Sequence, residues 1–181
     1  PEPRAGGAAI VERLCSMLAK GIRRRVVLVG HSAGTIFVCK LLQQAHGALS
    51  RINTAEAANF SFDVIFLAPA VRYDVFEETI RIAGPRISGF RMFLMRDEHE
   101  RDDTLIDQAA LSWLYPSSLL YLVSGICEGE ADVPLVGMER FHRFTSPFSA
   151  AKFPEVQRVR DWLSRRPNRM VLSPTVAEAP E

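Results

Sequence analysis

Residues 26–37, VVLVGHSAGTIF, place an apolar run, a serine between two glycines and a second apolar stretch next to one another. The run Val26–Val29 is typical of a strand that is covered on both faces. The stretch that starts at Ile36 has the spacing of a buried helix. We therefore predict a strand, a sharp corner at Gly30–Gly34 and a helix, with Ser32 in the corner as either a catalytic nucleophile or an ordinary turn serine.

The chemistry of serine favours the nucleophile. A serine hydroxyl reacts poorly at neutral pH unless the fold holds it out of the sheet beside a base. Gly30 and Gly34 flank Ser32 at the two positions where we expect a side chain to crowd the turn. The N–H groups and the positive dipole end of the following helix would face a developing oxyanion. The corner contains neither the Gly-Lys-Ser/Thr of a phosphate loop nor the glycine spacing of a dinucleotide fold.

Composition narrows the class of protein. A chain of 181 residues predicts a single domain. Its net charge of +1 favours neither nucleic acid nor an anionic membrane as a partner, and its apolar runs are far shorter than the roughly 20 residues of a spanning helix. Cys15, Cys39 and Cys127 lack metal-like spacing, which predicts buried free thiols in a reducing compartment. We expect a cytoplasmic protein without a metal or organic cofactor, although a chain that starts at Pro1 leaves a removed signal peptide open.

Helical and strand-like segments alternate along the chain. The predicted helices are residues 8–20, ended by Gly21; Ile36–Leu42; one opened by a capping box of Asp74 and Glu77; about Leu105–Leu114; and one that starts at Pro154. The predicted strands are Val26–Val29, Phe62–Leu67, Phe90–Met95 and Leu119–Val123, with a charged loop at residues 96–103. This alternation predicts an α/β domain over residues 1–164, with a mainly parallel sheet flanked by helices on both faces. The polar residues 165–181 are expected to form a disordered tail.

The GHSAG corner at Gly30–Gly34, set in this order of elements, resembles the nucleophile elbow of the α/β-hydrolase family. The resemblance extends over about residues 8–164 and implies a serine esterase or lipase-like enzyme. It also implies an acid after the strand two beyond the elbow and a histidine after the last strand, in that order. Ser32 is then the nucleophile, and the N–H of Ala33 is one oxyanion donor.

An acidic loop follows the third predicted strand, where the resemblance implies the acid. Asp97 lies nearest the end of that strand and is the favoured candidate, because a triad acid must be held firmly to fix one tautomer of an imidazole. Asp102 and Asp103 remain alternatives. Most charges of this loop are expected to be solvated.

Four histidines compete for the role of base. His31 lies inside the corner, His46 precedes every candidate acid, and His99 lies in the acidic loop. His142 alone follows the fourth predicted strand, so it is the favoured base, with a surface or core histidine as the alternative.

The predicted reaction is hydrolysis of an ester or thioester in a small acyl substrate through an acyl-enzyme. Five apolar side chains could line an acyl pocket, although such residues are more often part of a core. They are Phe76, Phe90, Met138, Phe141 and Phe144.

This chain departs from the family pattern upstream of the corner. Only 25 residues precede Val26, whereas the family carries several strands there and a loop that supplies the second oxyanion donor. We therefore expect the C-terminal half of a longer hydrolase, with a reduced domain whose exposed sheet edge is covered by another element as the alternative. Two alternatives stay open: a non-catalytic hydrolase-like scaffold, and an acyltransferase of the malonyl-transfer type. The latter family has a glutamate after the second glycine, where this chain has Thr35.

Overall fold

The computed structural model describes residues 6–102, 119–124, 133–143, 153–167 and 169–173. The described helices are α1 (Gly6–Ala19), α2 (Gly34–Leu49), α3 (Ala55–Ala58), α4 (Tyr73–Ala83), α5 (Asp97–Asp102), α6 (Leu119–Leu122) and α7 (Pro154–Ser164). The described strands are β1 (Val26–His31), β2 (Phe62–Leu67), β3 (Ile87–Leu94) and β4 (Met170–Leu172). None of these helices combines the length and the apolar composition needed to cross a bilayer.

The four described strands form one parallel sheet in the order β1-β2-β3-β4. Strands that are neighbours in the chain are also neighbours in space, so successive right-handed crossovers bring their helices to the same face. All carboxyl ends of the strands lie at one edge of the sheet and all amino ends at the other. The predicted α/β architecture with a mainly parallel sheet is confirmed.

An aromatic cluster forms the centre of the core between this sheet and its helices. Phe66 of β2 and Phe90 of β3 have ring centroids 5.4 Å apart. Phe76 of α4 lies 5.5 Å from Phe90, and Trp162 of α7 lies 5.0 Å from Phe90. Offset and edge-on aromatic pairs at these distances stabilise a core beyond their buried area alone. The cluster therefore holds α4 and α7 against the two central strands.

The opposite face of the sheet carries exposed apolar side chains. Val27 and Val29 of β1 are 44% and 58% exposed, and Leu67 and Phe93 are 37% and 40% exposed. Their register places them on one face, since side chains alternate along a strand. Among the described helices, the long ones pack on the other face, with Phe66 and Phe90.

The prediction of a fourth strand at Leu119–Val123 is wrong. Residues 119–122 form α6 instead, and the last described strand is β4, which lies inside the predicted disordered tail. Met170 of β4 pairs with Met92 of β3. An apolar run of five residues suits a helix turn as well as a strand, and the sequence pattern does not separate the two. The predicted helix at Leu105–Leu114 lies outside the described residues.

Two helix-terminus predictions have different outcomes. Gly21 ends α1 as predicted, with a φ of +71° and with the N–H of Ile22 bonded to the carbonyl of Met17. The predicted capping box at Asp74 is wrong, because α4 begins one residue earlier, at Tyr73, with Arg72 as its N-cap. Asp74 instead pairs with the guanidinium of Arg72 at 2.8 Å.

Candidate active site

Ser32 follows β1 directly and has a left-handed backbone, with a φ of +49°. A residue with a Cβ avoids this conformation, at a cost of roughly 1–2 kcal/mol, unless its surroundings hold it there. The Ser32 N–H donates a hydrogen bond of 3.0 Å to the carbonyl of Leu67, at the end of β2. The side chain is partly exposed at the carboxyl edge of the sheet.

The carbonyl of Ser32 is fixed by three donors. The N–H and the hydroxyl of Thr35 lie 3.1 Å and 2.6 Å from it, and the N–H of Ala70 lies 3.2 Å from it. Thr35 is fully buried, so water does not compete for its hydroxyl. The sequence indicated Thr35 only as a departure from an acyltransferase pattern, and the structure shows that its hydroxyl holds the serine backbone.

The two glycines of the corner are not equivalent. A Cβ at Gly30 would lie 3.0 Å from the Cα of Thr35 and 3.1 Å from its nitrogen, which are backbone atoms. A Cβ at Gly34 would meet no atom within 4 Å. The predicted crowding is therefore confirmed at Gly30 and wrong at Gly34.

Ala33 is the N-cap residue of α2 and is exposed. The first N–H groups of an α-helix have no carbonyl partner within the helix, and they carry the positive end of its dipole. Ala33 therefore lies where an N–H can face an anion beside Ser32. Its role as an oxyanion donor stays a prediction.

A second residue next to Ser32 is also left-handed. Ala68 has a φ of +42° directly after β2, and its N–H bonds to the carbonyl of Phe93 at 2.9 Å. These are the two non-glycine residues with positive φ among those that the structure describes. Both lie at the carboxyl ends of adjacent strands, and backbone strain of this kind clusters at functional sites.

A family model for an alpha/beta hydrolase of unknown function, DUF900, matches residues 6–104, which is more than half of the 181-residue chain and contains the whole corner. The chain belongs to the DUF900 family. The predicted resemblance to α/β-hydrolases is thus confirmed. Searches of curated proteins and of solved structures gave no significant match.

The acid-rich segment of this DUF900 chain is helical where a loop was predicted. Asp97 begins α5 at the carboxyl end of β3, and its N–H donates to Oε2 of Glu139 at 2.7 Å. Glu139 is buried and also binds Arg143 at 2.8 Å. Burial raises the pKa of Glu139, but the Asp97 N–H and Arg143 outweigh it and hold that pKa below its usual range. Glu139 is not among the predicted site residues, since nothing in GMERFHR marks a buried carboxylate.

Asp102 belongs to α5, and Asp103 lies outside the described residues.

His142 lies in a short 3-10 turn, Glu139–His142, and contacts Tyr73 and Val136. Its Nε2 is 2.8 Å from the carbonyl oxygen of Val136, and a carbonyl only accepts, so Nε2 carries the proton. The Tyr73 hydroxyl lies 3.0 Å from Nδ1 and 3.1 Å from Nε2, and because Nε2 carries the proton, Nδ1 is the nitrogen that accepts from this hydroxyl. Burial lowers the pKa of His142 to about 4, so the ring is neutral at pH 7.

His142 precedes the last described strand, β4, and so does not follow the last strand as the resemblance implied. Within the described residues, no hydrogen bond joins the side chains of Ser32, Asp97 and His142. The place that a triad acid would take on the imidazole is occupied by the carbonyl of Val136. The structure brings Ser32, Asp97 and the segment of His142 to the same edge of the sheet without pairing them.

Four of the five apolar side chains considered for an acyl pocket belong to the core. Phe76, Met138 and Phe141 are fully buried, and Phe90 is nearly so. Phe144 lies outside the described residues. Cys39 is a buried free thiol, as predicted, whereas the free thiol Cys15 is only partly buried, and Cys127 lies outside the described part of the chain.

We expect Gly30→Ala to destabilise the fold by roughly 1–3 kcal/mol, because the added methyl group meets the backbone of Thr35 and cannot be relieved by a rotamer change. Gly34→Ala is the matched control. It adds the same methyl group to open space in the first turn of α2, where alanine is favoured over glycine. Urea unfolding followed by circular dichroism measures both. Equal losses in the two variants would contradict the close approach at Gly30.

We also expect a pH dependence that His142 causes. Its folded pKa of about 4 lies below the ordinary value of 6.5, so the unfolded chain binds the proton more readily. The free energy of unfolding should therefore fall as the pH is lowered from about 6.5 to about 4, by up to roughly 3 kcal/mol. In His142→Gln this pH dependence of the free energy of unfolding should vanish. Urea unfolding of both proteins at several pH values between about 4 and 6.5 measures it. If the free energy of unfolding of the variant depends on pH as strongly as that of the parent, His142 is not its cause.

Proposed function

We propose that this DUF900 protein is a serine hydrolase in which Ser32 is the nucleophile. The left-handed backbone of Ser32 is the observation that carries this proposal. A strained non-glycine residue between a strand and a helix exposes its side chain at the top of the sheet. Hydrogen bonds from Thr35 and Ala70 and to Leu67 hold it there. An ordinary turn would place a glycine at such a position.

The proposed reaction is hydrolysis of an ester or thioester. The Ser32 oxygen attacks the acyl carbonyl carbon, the alcohol or thiol leaves with a proton, and an acyl-enzyme forms. Water then attacks the acyl-enzyme and releases the acid with Ser32 restored. The N–H of Ala33, at the start of α2, would donate to the oxyanion of both tetrahedral intermediates.

His142 is the proposed base, with Asp97 as its orienting acid. His142 is neutral at pH 7 and therefore in the form that accepts a proton. The lone pair that would accept this proton is on Nδ1, which accepts a hydrogen bond from the Tyr73 hydroxyl. To act as the base, the ring must therefore replace its hydrogen bond with Tyr73 by one with Ser32. For Asp97 to orient the ring, the Asp97 carboxylate must replace the Val136 carbonyl as the acceptor of the Nε2 proton.

A non-catalytic scaffold is the second candidate. It is favoured by one observation: the described hydrogen bonds of His142 go to Tyr73 and Val136 rather than to Ser32 or Asp97. The two candidates differ in the reactivity of the Ser32 hydroxyl, because a serine without a base does not react with an electrophilic phosphonate.

We expect a fluorophosphonate probe to label the protein at Ser32, and Ser32→Ala to lose this labelling completely while its unfolding midpoint is unchanged. Ser50→Ala is the control, because it removes the hydroxyl of another serine, the C-cap residue at the far end of α2. Peptide mass spectrometry locates the label. If Ser32→Ala reacts at the rate of the parent protein, or if the folded parent does not react at all, the nucleophile is misassigned.

The role of His142 has its own test. As the base it contributes about 100-fold or more to the rate, so His142→Gln should slow phosphonate labelling by at least that factor. Tyr73→Phe removes the hydroxyl that occupies Nδ1 and should leave the labelling rate equal or higher. If His142→Gln labels at the parent rate, His142 is a structural residue, whereas the assignment of Ser32 still stands.

A further inference from the structure

The amino ends of the strands form the edge opposite Ser32, and arginines precede three of the four strands there. Arg23, Arg24 and Arg25 lead into β1, Arg86 directly precedes β3, and Arg166 precedes β4. Neighbouring strands are about 4.8 Å apart, so the distance from the first strand to the fourth along this edge, which is the span of the arginines, is about 14 Å. Arg23, Arg24 and Arg166 are exposed.

Two neighbouring grooves run along this edge, with volumes of about 310 and 450 Å³. They share the lining residues Phe60, Ser61 and Ser88, and we call them together the amino-edge groove. Arg23, Arg24 and Arg25 line one end of it, and Arg86 and Arg166 line the other. Both volumes lie in or near the range of small-ligand sites.

The charge of the amino-edge groove is strongly positive. Asp63 is the one carboxylate among its described lining residues, and it pairs with Arg25 at 2.7 Å. Within the described residues, the other four lining arginines have no carboxylate at ion-pair distance. They are Arg23, Arg24, Arg86 and Arg166. Four guanidinium charges therefore remain in a chain whose net charge is only +1.

Two of these guanidinium groups are held in place by carbonyl oxygens. Arg86 is buried and donates to the carbonyls of Ala57 and Phe60. Arg166 donates to the carbonyl of Ser88 at 3.0 Å. Such bonds fix a guanidinium without neutralising it. At the carboxyl edge, in contrast, Arg72, Arg96 and Arg143 each face a carboxylate.

We propose that the amino-edge groove binds a small ligand that carries two or more phosphate groups. Planar guanidinium groups bind phosphate oxygens in pairs, and a row of about 14 Å accommodates more than one phosphate. Phe60 is 4% exposed and offers no surface for base stacking, which argues against single-stranded nucleic acid. The groove lies about 20 Å from Ser32, the length of β1, so this site does not depend on the proposed hydrolase activity.

Isothermal titration calorimetry with inorganic tripolyphosphate at low salt tests the site. The parent protein should bind tripolyphosphate more tightly than it binds inorganic phosphate. R23Q/R24Q removes two exposed charges and should raise the Kd for tripolyphosphate at least tenfold, and R166Q should raise it in the same direction. R13Q/R91Q is the matched control, because both arginines are exposed outside the groove, and it should change the Kd less than twofold. Circular dichroism confirms that each variant folds.

Two results would overturn the proposal of a phosphate site. The first is that the parent does not bind tripolyphosphate, and the second is that R13Q/R91Q weakens binding as much as R23Q/R24Q. A nucleoside triphosphate that binds more tightly than tripolyphosphate supports the proposal and indicates a nucleotide ligand. If a DNA duplex binds and tripolyphosphate does not, the surface is a nucleic-acid interface and the small-ligand proposal is wrong.

Discussion

The parallel pairing of β1 with β2 in a single register is the constraint on which the candidate site depends. His31 lies opposite Leu67 in this register, so the N–H of Ser32 reaches the Leu67 carbonyl and the Ser32 carbonyl reaches Ala70. A slip of one residue would turn Phe66 out of the aromatic core and move these partners apart. The apolar packing of β2 thereby holds Ser32 in a conformation that an isolated chain would leave.

Residues 133–143 make a second set of contacts at the carboxyl edge of the sheet. The segment of residues 133–143 bonds to the chain after β2 through the carbonyl of Pro134 and the N–H of Val136, which meet Tyr73 and Val71. Its Gly137 lies so close to Pro69 that a Cβ there would overlap the Pro69 carbonyl oxygen. Glu139 extends the contact to the start of α5. Residues far apart in the chain thus share one rigid rim beside Ser32.

The two edges of the sheet differ in charge. At the carboxyl edge, Arg72, Arg96 and Arg143 each face a carboxylate. At the amino edge, guanidinium groups are held by carbonyl oxygens and keep their charge. Because the edges are separated by the length of the strands, the field of one edge is largely screened at the other in physiological salt. One sheet can therefore carry two chemically independent sites.

Features that depend only on residues adjacent in the chain could be predicted from the sequence. Local apolar pattern and backbone sterics are sufficient for the strands at Val26–Val29 and Phe62–Leu67, the crowding at Gly30 and the positive φ of Gly21. They also place Ser32 between a strand and a helix. Other features depend on contacts between distant parts of the chain. Residues 119–122 form a helix and Met170–Leu172 form a strand, because short segments take the structure that their packing partners impose. The same holds for the hydrogen bonds of His142, for the burial of Glu139 and for the hydrogen bond from the Thr35 hydroxyl to the Ser32 carbonyl. Each of these arises only when the folded chain packs, because the spacing of residues along a sequence does not give the distance between their side chains in space.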